Sequence, residues 1–446
     1  MIRLEESFRM QDYYRVKRKD NSMAKSQKNI KKILVYADWQ ELNGTTLMGV
    51  LQAEQVRGKE VFSFEYSKEW LDQGKSVVQT LDPDLGLFSG PQYNYDAKPN
   101  FGIFMDSAPD RWGKVLMERR EAMQARMEKR KPLPLMESDY LLGVHDLYRM
   151  GGLRFKLDEE GEFLDADSSK AAPPITSLRT LEEASLHLED EDAIEDPDFS
   201  TWLNLLMSPG SSLGGARPKA SVIDPKGQLW IAKFPSRKDE RDIGGWEMVV
   251  NELAIKAGLH VAEGEAKKFT QDNHTFLTKR FDRINGKRIH FASAMTLLGH
   301  TDGTNGSAGV SYLHIAEFIM RNSSQVDKDL EELWRRIVFN IAVSNSDDHL
   351  RNHGFILSKD GWQLSPAYDI NPIPLSRGLN LNISEFSNEL DLDLAREVAE
   401  KFRVDKKRSE AIIDEVLKAV SAWKKVAAAT GISRSEILSM ESAFIS

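Results

Sequence analysis

The residues best suited to chemistry in this chain are two acids and an amide at fixed spacing. The run Ser344-Asn345-Ser346-Asp347-Asp348-His349-Leu350-Arg351-Asn352 puts Asp347 five positions before Asn352, and Asp369 follows in Leu364-Ser365-Pro366-Ala367-Tyr368-Asp369-Ile370. D-x-x-x-x-N is the spacing of a kinase catalytic loop. Phosphoryl transfer from ATP asks little covalent chemistry of a protein. It needs a carboxylate beside the acceptor hydroxyl, oxygen ligands for magnesium, and cations and amides around the phosphates. On this reading Asp347 takes the hydroxyl proton, while Asn352 and Asp369 hold the metal. Taken alone, Asp369 also reads as an Asx turn ahead of Pro372.

Competing chemistries fit less well. His349 and His353 have the i, i+4 spacing of a zinc pair, but Leu350-Arg351-Asn352 between them lacks the Glu of H-E-x-x-H, and Arg351 would repel a dication. No G-x-S-x-G elbow is present to raise a nucleophilic serine. Gly210 and Gly215 match the first spacing of a Walker A loop, yet Ala216 stands where that motif needs Lys, and a strand rather than a helix follows. The Gly210 to Lys219 run still supplies amides that can approach phosphate closely. Lys233 ends the apolar strand Leu229 to Phe234, and Glu247 on the next helix is its candidate ion-pair partner. The competing reading of Lys233 is an edge-strand lysine facing solvent.

These residues require a strand-rich unit and a helical unit to hold them. From Lys32 to Tyr93 short strands alternate with Gly-bearing turns, which predicts a small antiparallel β unit. Asp110 to Lys131 reads as a charged amphipathic helix whose basic residues face solvent. Strands around Val222, Ile231 and Phe276 with a helix from Trp246 to Ala257 predict a nucleotide-binding half-barrel. Leu333, Ile337 and Ile341 begin a region of helical period. The expected division is a disordered polar tail over 1–28, a β-rich subdomain with a helix over 29–157, an acidic linker over 158–200, an N-lobe over 201–283 and a helical catalytic C-lobe over 284–446. The fold class is α+β, a kinase-like two-lobed fold with a small N-terminal subdomain.

Composition sets the outer limits. A chain of 446 residues with 41% hydrophobic content can form several packed units and a cleft. A net charge of −9 excludes wholesale coating of nucleic acid, and the absence of Cys excludes disulfides and thiolate metal sites. No run reaches the roughly 18 to 20 apolar residues of a membrane span, so a cytoplasmic protein is expected.

The order of parts resembles the HipA family of bacterial toxin kinases. It runs Ser212-Leu213-Gly214-Gly215-Ala216-Arg217-Pro218-Lys219, Lys233, Lys279-Arg280-Phe281-Asp282-Arg283, Asp347 to Asn352, then Tyr368-Asp369. Phe64-Glu65-Tyr66 and the run Phe101 to Arg111 extend the likeness toward the N-terminus. The resemblance implies a serine/threonine protein kinase using ATP and Mg²⁺. It casts Asp347 as the catalytic acid, Asn352 and Asp369 as metal ligands, and Gly214 to Lys219 as the phosphate loop. Lys233 falls on the phosphates, and the backbone of Lys279, Arg280 and Phe281 on adenine, with Asp282 near the ribose. His349, Leu350, Arg351 and Tyr368 become further nucleotide contacts, and Ser212, or Ser211, the self-phosphorylated residue. Implied partners are a helix-turn-helix antitoxin, operator DNA bound mainly through it, and a translation-related protein substrate such as an aminoacyl-tRNA synthetase. Asp348 departs from a common Gly, and Arg217-Pro218 makes the loop stiffer and more cationic. Two other readings keep different parts of this: a small-molecule kinase on the same fold, and a catalytically quiet scaffold for antitoxin and DNA.

Overall fold

The computed structural model describes residues 30–445 apart from 74–79, 95–96, 168–171, 191–192, 197, 207–214, 216 and 271–272. The expected tail, Ser211, Ser212, Gly214 and Ala216 lie outside the described residues.

The chain opens with β1 (Ile30–Ala37), β2 (Thr46–Val56) and β3 (Lys59–Tyr66). Alternation decides their faces: Ile33, Val35 and Ala37 of β1 and Phe62, Phe64 and Tyr66 of β3 are buried. Gly49 of β2 is obligatory, because a Cβ there would lie 2.2 Å from the Glu65 carbonyl oxygen. The short β4 (Gln92–Tyr93) extends this sheet beside β3, and β5 (Leu153–Lys156) returns to the far edge beside β1 in antiparallel register, Leu34 opposite Lys156. The sheet order is therefore β4-β3-β2-β1-β5. Helix α1 (Arg111–Met127) lies between β4 and β5 in the chain and is N-capped by Asp110.

The stretch 158–200 departs from the expected linker. It contains helix α2 (Leu178–Leu188), and α3 (Phe199–Leu206) begins at its end. Leu178, Leu181, Leu188 and Leu203 join Trp112 of α1 and the strand residues Val222, Ala232 and Leu277 in one apolar cluster. Leucines at i, i+3 and i+10 form a stripe that the high acid content of the segment obscures.

The second sheet consists of β6 (Lys219–Ile223), β7 (Leu229–Lys233), β8 (Gly264–Lys267) and β9 (Thr275–Lys279) in the order β6-β7-β9-β8. Helix α4 (Ile243–Lys256) connects β7 to β8 and buries Trp246, Val249, Val250 and Leu253. Its approach to β9 is close: a Cβ on Gly244 would lie 2.1 Å from the His274 carbonyl oxygen. The small hairpin β10 (Arg283–Ile284) and β11 (Lys287–Arg288) follows.

Helices α5 (Tyr312–Asn322), α6 (Val326–Ala342), α7 (Lys406–Val420) and α8 (Trp423–Thr430) dominate the rest. Leu333, Ile337 and Ile341 of α6 are fully buried, as their period predicts. A three-stranded sheet, β12 (Phe291–Ser293), β13 (Gly354–Ser358) and β14 (Gly361–Leu364), is inserted among them. The loop from Val343 to His353 thus spans from the end of a buried helix to the start of a buried strand. Among the described residues no helix is long and apolar enough to cross a membrane.

Candidate active site

The second sheet brings two lysines to one end. Lys219 and Lys233 are direct cross-strand neighbours on β6 and β7, and both are buried. Adjacent like charges are destabilising unless each has a counterion. Lys219 Nζ lies 2.8 Å from Asp110 Oδ2 and donates to the Gly215 carbonyl oxygen at 3.2 Å. Gly215 itself has φ +83°, a conformation natural to glycine.

Lys233 joins two distant elements. Its ammonium forms an ion pair with Glu247 of α4 and another, at 2.8 Å, with Asp369 Oδ1. Burial works against the Lys233 charge, but Asp369 and Glu247 outweigh it and hold the pKa above its ordinary value. Burial likewise opposes ionisation of Asp369, and Lys233 overrides it, bringing that carboxyl down to about 2. The edge-lysine reading of Lys233 is therefore wrong. Apolar neighbours enclose the stem, and the sheet end points the ammonium at two carboxylates.

Asp369 does not terminate a strand. β14 ends at Leu364, and Asp369 adopts left-handed backbone with φ 58°. Asn371 Nδ2 approaches Asp369 Oδ1 at 3.4 Å, while Asn371 N donates to Asn345 Oδ1 at 3.2 Å, which ties this turn to the loop before Asp347.

Within that loop, Asn352 Nδ2 donates to the backbone oxygen of Asp347 at 3.2 Å. The bond fixes the amide and leaves Asn352 Oδ1 buried with no hydrogen-bond partner. A buried acceptor without a donor is costly unless a cation or water meets it. Asp347 is exposed, with its carboxyl only partly shielded by its neighbours. Its pKa is raised by burial and by repulsion from Asp369 and Asp348, with His349 acting in the opposite direction. Asp348 is of a different kind. Its Oδ2 accepts from the Tyr312 hydroxyl at 2.5 Å, from Asn340 Nδ2 at 2.8 Å, and lies 2.8 Å from His353 Nε2.

Beside Lys233 lies a small apolar group of Met150, Ile231 and Phe291, with half-buried Phe281 and Tyr368 packed on it. The rings of Phe281 and Tyr368 are 5.7 Å apart, and the Tyr368 hydroxyl donates to the Arg351 carbonyl oxygen at 2.6 Å. Leu350 is buried, and Arg351 reaches Asp302 at 3.5 Å. Arg217 is bound to Asp239 at 2.8 Å; Pro218 supplies the carbonyl that accepts from Phe234 N at 2.9 Å.

Three of the residues implied as nucleotide contacts make firm contacts within the protein. Lys279 pairs with Glu263 at the surface, and the amides of Lys279 and Arg280 donate to the carbonyl oxygens of Glu263 and Leu229. Asp282, expected near a ribose, is fully enclosed by Arg280 at 2.7 Å, Arg283 at 2.6 Å and Gly151 N at 2.9 Å. Burial opposes its charge, and the two guanidiniums hold its pKa far below the ordinary range. Arg280 also donates to the Tyr148 carbonyl oxygen, so this ion pair ties the second sheet to the N-terminal region. Sequence spacing cannot tell a carboxylate that faces a ligand from one turned inward. Asp110, the counterion of Lys219, was given no role by the sequence, which placed it only at the head of a charged helix and within the Phe101 to Arg111 run.

Residues 211–423 match the family model of the HipA-like C-terminal domain. A Haemophilus influenzae protein named "Putative kinase" is 28% identical over 187 residues, covering 37% of this chain and 54% of that protein. Toxin YjjJ of Escherichia coli is 25% identical over 226 residues, covering 45% of this chain and 50% of the toxin. The chain spans about half the length of the curated relatives it matches. The solved structure of Shewanella oneidensis MR-1 HipA, in complex with HipB and operator DNA, superposes with a TM-score of 0.60 at 17% identity, over 92% of this chain and 94% of that one. The fold is that of the two-lobed, kinase-like HipA structures, with a β-rich N-terminal part and a helical C-terminal region. The match over residues 211–423 agrees with the likeness that the order of motifs implied.

Proposed function

We propose that this chain is an ATP- and Mg²⁺-dependent serine/threonine protein kinase, acting as the toxin of a toxin-antitoxin module. The observation that carries the reading is the buried Lys233, joined at once to Glu247 and to Asp369, next to the loop of Asp347 and Asn352. That set corresponds part by part to a kinase phosphate and metal site.

The donor chemistry fits magnesium. Asn352 Oδ1 and the Asp369 carboxylate are hard oxygen ligands, and few protein ligands are normal for an ion that keeps waters and substrate phosphate oxygens. Bound there, magnesium would neutralise charge on the phosphates. Lys233 and Lys219 contribute fixed positive charge at the same sheet end, and Phe281 and Tyr368 offer an apolar surface for a base. Asp347, open to solvent, orients the acceptor hydroxyl and takes its proton. The loop serine, Ser212 or Ser211, is the proposed self-phosphorylation site, so Ser212→Ala should slow acquisition of phosphate there. A helix-turn-helix antitoxin, operator DNA reached through it, and a translation-related protein such as an aminoacyl-tRNA synthetase complete the proposed partners. The solved HipA complex with HipB and operator DNA supports the first two.

The test is transfer of labelled γ-phosphate from ATP into a cell lysate. Label should enter proteins and vanish with Asp347→Ala, a fall of on the order of a hundredfold or more if the carboxylate supplies a few kcal/mol in the transition state. Nucleotide binding should survive that change. Label confined to metabolites would favour the small-molecule reading, and undiminished transfer by Asp347→Ala would refute the site.

A further inference from the structure

A cavity of about 400 Å³ adjoins the catalytic loop, lined by Asn305, Ser346, Ser376, Arg377, Asn380 and Asn388 among others. Ser346 immediately precedes Asp347, and its hydroxyl shares a 2.8 Å hydrogen bond with that of Ser376. The cavity wall is pinned to the loop: Ile373 N donates to the Ser344 carbonyl oxygen at 3.2 Å, and Gly306 N to the Asn380 carbonyl oxygen at 2.8 Å. Its lining has no carboxylate. Among the described residues Arg377 has no ion-pair partner, and the shielded Asn380 Oδ1 has no hydrogen-bond donor. Side-chain amides and hydroxyls both donate and accept, which is what a peptide main chain requires.

Two large apolar side chains stand free on the same segment, Leu375 at 84% exposure and Phe386 at 90%. Single exposed apolar residues are ordinary, but Leu375 is also held at φ 64°, a conformation unusual for a bulky side chain. Such strain persists only where surrounding structure enforces it, and it concentrates at binding sites. Here Leu375 N is held by Ser442 Oγ at 3.2 Å. Exposed apolar side chains next in sequence to the lining, Leu375 before Ser376 and Phe386 two positions before Asn388, together with the polar lining and Arg377, fit a protein segment better than a metabolite. Glu385 and Glu389 on this segment lie outside the lining, so Arg377 is the one charged residue that lines the cavity.

We propose that this cavity is the docking site for the acceptor protein, an extended segment whose serine or threonine reaches Asp347 while a neighbouring carboxylate side chain pairs with Arg377. The proposal rests on the kinase reading of the adjacent loop, and binding measurements separate the two. Three short labelled peptides, identical except for Glu, Ala or Lys beside the serine, are titrated with the full chain and followed by fluorescence anisotropy. The Glu peptide should bind tightest, about tenfold over the Ala peptide for one charge-assisted contact. Arg377→Ala should erase that preference, and Arg377→Glu should make the Lys peptide the best. Because Arg377 is exposed, both variants should melt like the parent chain. Equal binding of the three peptides, or an order unchanged by Arg377→Glu, overturns the proposal. Phosphate transfer on the same preparations reports on the other reading: peptide sorting without transfer keeps the docking site and refutes the kinase, and transfer without sorting does the reverse.

Discussion

Asp347 and Asp348 are adjacent carboxylates with opposite surroundings. The first is exposed and has a raised pKa, whereas the second is buried. Burial opposes the Asp348 charge, but His353 and Tyr312 outweigh it and keep that pKa below its ordinary value. Asp348 thereby joins helices α5 and α6 to His353, the residue just before β13. Replacing it by Ala strands a phenol, an amide and an imidazole without an acceptor. Each buried group left unpaired costs about 1 to 3 kcal/mol, so urea denaturation should show a loss of several kcal/mol for Asp348→Ala. Asp347→Ala should lose transfer with little change in stability. If the two variants behaved alike in both measurements, the division of labour between them would be wrong. The sequence marked this loop through its spacing, but the role of Asp348 depends on Tyr312 and Asn340, which only folding brings near.

At the scale of elements, α2 is the clearest departure from the sequence reading. Leu181 is fully buried within the cluster that also backs β6, β7 and β9. Leu181→Ala should cost about 2 to 5 kcal/mol in chemical denaturation, whereas a solvated linker would tolerate it. A second element carries a pH signature. Asp82 accepts from Asp84 N and from Ile103 N, in the first turn of the short helix Gly102–Asp106, at 2.9 Å each. Burial raises its pKa to about 6, although both bonds and Lys98 pull it down. A folded pKa above the unfolded value of about 3.9 means the neutral form is favoured in the fold. Its contribution is therefore complete below about pH 4 and is lost as pH rises through 6, a difference of roughly 2 to 3 kcal/mol. Asp82→Asn should remove that decline between pH 4 and 7 in urea midpoints. A slope identical to the parent chain would show that Asp82 titrates normally.

Over the whole molecule, the Arg280, Asp282 and Arg283 cluster joins the second sheet to residues 147–151. Buried ion pairs are weak evidence of net stabilisation, but removing one partner leaves an uncompensated charge. Arg280→Ala should cost about 3 to 5 kcal/mol and loosen the N-terminal region, seen as faster amide hydrogen exchange in β1 and β5. Unchanged exchange there would show that the cluster is local to the second sheet.

Spacing alone determined the catalytic-loop candidate, the distant Asp369 and the helical period of α6, because these signals are local and depend on residue type. The order of short motifs also carried the family likeness, since order along a chain survives where identity falls. Tertiary structure decided which charged groups face the cleft. It turned Asp282 and Arg280 inward, gave Lys219 the counterion Asp110, and added Asp369, 136 positions away, to the Glu247 partner that the sequence had already offered for Lys233. Such pairings depend on how sheets and helices pack, and a one-dimensional pattern does not encode which way a charged side chain turns.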